Sequence, residues 1–129
     1  MFIKHDVKTV CKLYDFLQTE YGYKLTKTEI PKVNDVFLVE YFRESDCRKI
    51  RIIRDRGYYE LTISVGKSFF SLPLILKYLF PDQVFTLNYQ GMLGLRKLVE
   101  LVKQYYEIVE KNMILLDESK IHHYFIRIR

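Results

Sequence analysis

The chain has no tryptophan, and its 129 residues include two cysteines, three prolines and five glycines. Cys11 and Cys47 are far apart and belong to no C-x-x-C pair. Two such thiols do not build a disulfide framework, so a reducing compartment is expected. The glycines are scattered, which excludes a glycine-rich phosphate loop. Gly66-Lys67-Ser68 matches a P-loop in its last three letters, lacks the upstream glycine, and reads as a turn. No stretch approaches ~18 uninterrupted apolar residues, and the opening MFIKHDVKTV has no long uncharged run of the signal-peptide kind. A cytoplasmic protein with no membrane partner is expected. Blocks of like charge are missing too: 21 basic and 16 acidic residues are interspersed, for a net charge of +5. That balance gives only a mild attraction for acidic partners, nucleic acid included.

Reactive chemistry is equally sparse. Of the three histidines, His122 and His123 are adjacent, so they point apart on a strand and diverge by about 100° on a helix. Neither arrangement chelates a metal. No Ser, Cys or carboxylate stands in a recognisable nucleophile setting. The expectation is a non-enzymatic protein without cofactor or metal, catalytic residues included.

What the chain does have is a run of strand signals in its middle. Val36–Phe42, Cys47–Arg54 and Tyr58–Val65 are apolar, β-branched and aromatic, with polar breaks between them. In the last, Tyr59, Leu61, Ile63 and Val65 alternate with Tyr58, Glu60, Thr62 and Ser64, the period of a strand buried on one face. Placing Ile50 and Ile52 on the same buried face pairs Ile52 with Leu61 and Ile50 with Ile63 around Asp55-Arg56-Gly57. A one-residue slip would set Ile52 against Glu60. Gly57 suits the positive-φ position of such a turn. A four-residue loop Arg43–Asp46 would pair Val39 with Ile50, Phe37 with Ile52 and Glu40 with Lys49.

Helices are expected on either side. Asp6–Tyr21 carries Val7, Val10, Cys11, Tyr14 and Leu17 at helical spacing, with Asp6 as cap and Gly22 as stop. Tyr23, Leu25 and Lys27 suggest a short edge strand, and Ile30-Pro31 an extended backbone. Gly66–Phe70 leads into a short helix opened by Ser71 and Pro73 and closed by Pro81. After a connector at Asp82–Leu87, the longest helix runs from about Tyr89 to Asn112 with Asn88 as cap. Met92, Leu95, Leu98, Val99, Val102, Tyr105, Tyr106, Val109 and Met113 form its apolar stripe. Met113–Leu116 continues that helix or leads out of it. Tyr124, Ile126 and Ile128 alternate with Phe125, Arg127 and Arg129, which admits a terminal strand. The expected fold is a single α+β domain over 1–129. An antiparallel meander of three to five strands packs against an N-terminal helix and a long C-terminal helix.

The meander also defines a candidate surface. With Phe37, Val39 and Tyr41 inward, Val36, Leu38 and Phe42 point outward beside Lys49, Arg51 and Ile53. A strand apolar on both faces is usually covered on both. Cover by another segment of the chain or by a second subunit, a homodimer for example, is favoured over an open recognition surface. The candidate partner-binding residues are Lys49, Arg51, Arg54, Arg56, Tyr58, Leu38 and Phe42. The plain alternative is a solvated face on which Lys and Arg stems lie over apolar neighbours. A nucleic-acid version is less favoured, because Lys49-Ile50-Arg51-Ile52-Ile53 has isoleucine where an RNA-binding sheet shows Phe or Tyr. Charge reversal at Arg51 or Arg54 is expected to weaken a complex with little loss of stability.

The order of features resembles small bacterial immunity proteins encoded beside polymorphic or contact-dependent toxins. The likeness runs through Tyr14-Asp15-Phe16-Leu17 with Glu20-Tyr21-Gly22-Tyr23, then Val39-Glu40-Tyr41, Arg48-Lys49-Ile50-Arg51-Ile52 and Tyr58-Tyr59-Glu60-Leu61. Ser71-Leu72-Pro73-Leu74-Ile75-Leu76 and a long amphipathic helix complete it. The resemblance is one of element pattern over most of the chain, without a diagnostic motif. It implies a binder that neutralises a toxin domain, and it assigns no residue a role. The basic charge departs from the acidic character common in inhibitors of nucleases.

Overall fold

A computed structural model describes residues 2–30, 36–112 and 117–127, with side chains described from residue 5 to residue 124 within those ranges. Helix α1 (Phe2–Leu13) and the one-turn α2 (Phe16–Thr19) are followed by strands β1 (Lys24–Glu29), β2 (Val36–Arg43), β3 (Arg48–Asp55), β4 (Tyr58–Val65) and β5 (Ser68–Ser71). Helices α3 (Leu72–Leu79), α4 (Gly91–Lys111) and α5 (Glu118–Arg127) complete the chain. The strands form one antiparallel sheet in sequence order, β1-β2-β3-β4-β5. This is the α+β meander expected from the alternation.

The β3–β4 register is the expected one, Ile52 opposite Leu61 and Ile50 opposite Ile63. A tight turn closes it, with Arg56 and Gly57 both at positive φ (54° and 87°). The β2–β3 register differs from the expectation by two residues. Val39 faces Ile52, Tyr41 faces Ile50, and Glu40 faces Arg51 rather than Lys49. A shift of two keeps every side chain on its face, so the hydrophobic pattern cannot distinguish the two pairings. The turn decides it. Cys47 does not open β3; it sits in the turn at φ 56°, and the Asp46 carboxylate accepts from the Arg48 amide at 3.3 Å. The loop is therefore Glu44–Cys47, and Arg43 pairs with Arg48.

Four further expectations are corrected. The helix expected over Asp6–Tyr21 starts earlier and breaks in two. Asp6 lies inside α1 and forms an ion pair with Arg54 instead of capping. Bonds from Asp15 and Leu17 to carbonyls three residues back tighten the chain at the break. Both Tyr14 and Leu17 remain fully buried there. Secondly, Ser68–Ser71 is a strand that the run into α3 concealed. Thirdly, α4 begins after Gln90, not Asn88. Gln90 is held extended against Tyr58, Tyr59 N–H donating to the Tyr89 carbonyl and Gly91 N–H to that of Gly57. Gly91 then turns into the helix at φ 65°. Finally, the terminal segment is helical: α5 places Ile121 in the core, and Tyr124 stacks edge-on against Tyr78. Pro31, Met113–Leu116 and Ile128-Arg129 lie outside the described residues.

The remaining punctuation is close to that read from sequence. Helix α2 stops at Thr19 with Glu20 as its C-cap, short of the expected Gly22, which follows in the turn toward β1 at φ 77°; β1 is an edge strand. Ser71 Oγ caps α3 by accepting from Leu74 N–H at 3.4 Å. One core joins Val7, Val10 and Tyr14 of α1 to Phe37, Val39, Tyr41, Ile50, Ile52, Leu61 and Ile63 of the sheet. Leu95, Leu98, Val99, Val102 and Tyr106 of α4 close it from the same side. Met92, expected in that stripe, is 40% exposed. No helix of the described residues is long and apolar enough to cross a membrane.

Candidate binding surface

Strand parity places the outer side chains of the sheet in rows. Phe42 stands beside Lys49, Glu40 beside Arg51, Leu38 beside Ile53 and Val36 beside Asp55. Tyr58, Glu60 and Thr62 of β4 follow in the same layer, and Phe69 of β5 lies opposite Ser64. Val36, Leu38, Phe42 and Ile53 are half-buried and stand outside the helix-covered core. Of the seven candidate residues, Leu38, Phe42, Lys49, Arg51 and Tyr58 share this face.

Arg54 does not. It is one residue out of phase with Ile53 and Asp55, and it faces inward between Phe37 and Tyr59. Its guanidinium lies 5.9 and 5.7 Å from those two ring centroids, and it pairs with Asp6 of α1. Arg56 occupies the β3–β4 turn, 83% exposed, with Asp55 at 3.8 Å.

The arginines of the meander are largely engaged within the chain. Arg51 donates to Glu40 at 2.8 Å and covers the Phe69 ring at 3.9 Å. These contacts help bury Glu40, which is 7% exposed. Arg48 donates to the Ser64 carbonyl at 2.7 Å and to Asp46 at 3.3 Å. Arg43 reaches Asp46 at 2.8 Å and Glu110 of α4 at 3.0 Å, donates to the Tyr21 carbonyl and stacks on the Tyr23 ring at 4.6 Å. The bonds from Arg43, with Arg48 adding to them, hold the Asp46 carboxyl down at about 2. Under Arg43, the Tyr23 and Tyr106 hydroxyls meet at 2.5 Å. Burial pushes the Tyr23 phenol up to about 12 and that of Tyr106 higher still. Charge reversal at Arg51 or Arg54 would therefore strand a carboxylate, contrary to the expectation of little cost in stability.

Sequence reasoning missed a second feature. β5 covers β4 over Thr62–Val65, and a bridge from Tyr58 to Gln90 touches its other end. Between these supports lies a cavity of about 570 Å³. Leu61 and Leu98 lie at the core side, Ser71, Pro73 and Leu74 at the α3 side, Leu87 and Tyr89 at the connector side. Ile53, Asp55, Arg56, Tyr58 and Glu60 line its outer part. A signal for it exists in the sequence: a helix opened by Ser71 and Pro73 cuts the last strand to four residues against an eight-residue neighbour.

Chemistry of other kinds is thin. No three His, Cys, Asp or Glu side chains are grouped to hold a metal among the described residues. His122 contacts Ser68 Oγ at 3.2 Å and stacks near Phe70. No protein-family model matches the chain, and no curated protein or solved structure gives a match to it.

Proposed function

We propose that this protein is a non-enzymatic binding module for another protein, most concretely an immunity protein that neutralises a cognate toxin domain in the cytoplasm. The observation that carries the reading is the outer sheet face. On it Arg51 is paired with Glu40, while Val36, Leu38, Phe42 and Ile53 form a half-buried apolar band outside the core. A band of this kind suits a protein surface, where buried apolar area drives association and engaged polar groups cost little to cover. The toxin itself comes from the resemblance in element order. The nucleic-acid alternative loses support from the same ion pairs, since phosphate binding needs cations free to displace counterions.

The test is calorimetry with the C-terminal domain of any secreted toxin encoded beside this protein, at two salt concentrations. Binding should tolerate salt, and Phe42→Glu or Ile53→Glu should weaken it at least tenfold while the circular dichroism spectrum is kept. Absence of any protein complex, together with oligonucleotide affinity falling steeply with salt, would replace this reading with the nucleic-acid one.

A further inference from the structure

We infer that the free edge of β1 pairs with β1 of a second copy of this chain, antiparallel across a twofold axis at Thr28, joining two sheets edge to edge. The inference goes beyond the toxin reading and does not depend on it. Its first support is backbone geometry. β1 ends the sheet, and all six of its residues are exposed. Thr26 Oγ1 donates to the Glu40 carbonyl at 3.3 Å, so Glu40 turns its peptide groups toward β1 and its neighbour Val39 turns them toward β3. Thr28, opposite Val39, therefore points its N–H and C=O away from β2. Leu25, opposite Tyr41, does the same, and its N–H donates to Gln18 Oε1 of α2 at 3.1 Å. No side chain among the described residues takes the Thr28 N–H in this way.

The second support is that β1 complements itself. With Thr28 opposite Thr28 of the second copy, Lys27 faces Glu29 and Glu29 faces Lys27, both on the outer side, where they stand beside Glu40 and Leu38 of β2. Thr26 is the extra residue of the bulge between Leu25 and Lys27. With that residue passed over, Leu25 meets Ile30 of the second copy, twice, on the core side. These are the two apolar residues of the edge, left 38% and 40% exposed by the helical layer. Lysines on an edge strand ordinarily block such pairing. Here each lysine gains an acid across the axis, and the 2.9 Å pair that Lys27 and Glu29 make within one strand extends to four charges of alternating sign. Two ion pairs and two apolar pairs repeated about a single residue are the self-complementarity that a twofold contact requires.

The test is sedimentation equilibrium of the full-length chain at concentrations up to about 500 μM, with circular dichroism as the check on folding. The mass should rise with concentration toward twice the 15.7 kDa of one chain. Thr28→Pro removes the donor at the axis without taking a bond from β2, and should raise the dissociation constant at least tenfold. Glu29→Lys should do the same. The double variant Lys27→Glu/Glu29→Lys should restore the dimer, because the charges then match in the opposite sense. An equimolar mixture of Lys27→Glu and Glu29→Lys chains should associate where neither does alone. The assignment is overturned if the wild type stays monomeric throughout, if Thr28→Pro dimerises with unchanged affinity, or if the double variant is as weak as Glu29→Lys. Should Thr28→Pro not fold, the charge series decides by itself. A dimer dissociated by Phe42→Glu but not by Thr28→Pro also overturns it, placing the second copy on the outer face. All of these are read on the protein alone, so the toxin calorimetry succeeds or fails separately.

Discussion

Arg43 and Asp46 tie the β2–β3 turn to the last turns of α4, through Glu110 and the Tyr23–Tyr106 pair. The Asp46 carboxyl is held at about 2, below its ordinary 3.8. A group depressed in the folded state adds stability above its unfolded pKa and loses it as pH falls through the folded value. The difference in stability between the wild type and Asp46→Asn should therefore be constant above about pH 4 and shrink between pH 4 and 2, followed by urea unfolding across that range. Gly94 makes a second residue-scale case, where two effects oppose each other. Alanine in a helix gains about 1 kcal/mol over glycine. A Cβ at Gly94, however, would stand 2.3 Å from the Tyr89 backbone carbon, with no flexible side chain to give way. Overpacking of this kind costs about 1–3 kcal/mol, and here the obstacle is main chain. Gly94→Ala should lower the thermal midpoint, and a rise would show that the α4 start can shift.

Among the elements, α5 is docked by few but specific contacts. Glu118 accepts from the Lys67 and Ser68 amides at 2.7 and 3.0 Å, and Ile121 is fully buried. Removing the carboxylate by Glu118→Ala should raise hydrogen exchange at Lys67, Ser68 and α5 while leaving exchange in β2–β4 unchanged, because local opening need not involve the central sheet. This helix was also the element least legible in sequence. Over so short a run, Tyr124 and Ile126 fit a period of two, whereas Ile121 and Tyr124 fit a helical spacing of three, and docking settled which prevailed. The meander was legible because alternation in β4 fixes its faces, and the tight turn at Asp55-Arg56-Gly57 fixes its register with β3. The β2–β3 register was not, since a two-residue shift is silent in the hydrophobic pattern and depends on the left-handed Cys47. The candidate surface was legible to the same depth. Leu38, Phe42, Lys49, Arg51 and Tyr58 follow from parity, while Arg54, out of phase with them, belongs to the core side. The cavity beside β4 depends on where β5 stops, which a capping signal at Ser71 implies only once β5 is known to exist.

At the scale of the molecule, α1, α4 and the inner sheet contribute to one core rather than to separate ones. Such an arrangement leaves no element with a private hydrophobic cluster, so unfolding should be all-or-none. The composition supplies a test. With no tryptophan and eleven tyrosines, intrinsic fluorescence reports on Tyr14 of α1, Tyr41 of β2 and Tyr106 of α4, all fully buried, while far-ultraviolet circular dichroism is dominated by the helices. The two urea transitions should coincide. Leu95→Ala, at a fully buried position of α4, should cost about 2–5 kcal/mol. That is a large share of the about 5–15 kcal/mol typical of a domain, and it should move both midpoints together at unchanged slope. Were the circular dichroism midpoint to precede the tyrosine one, unfolding would not be a single step, and the helices and the sheet would not share one cooperative core.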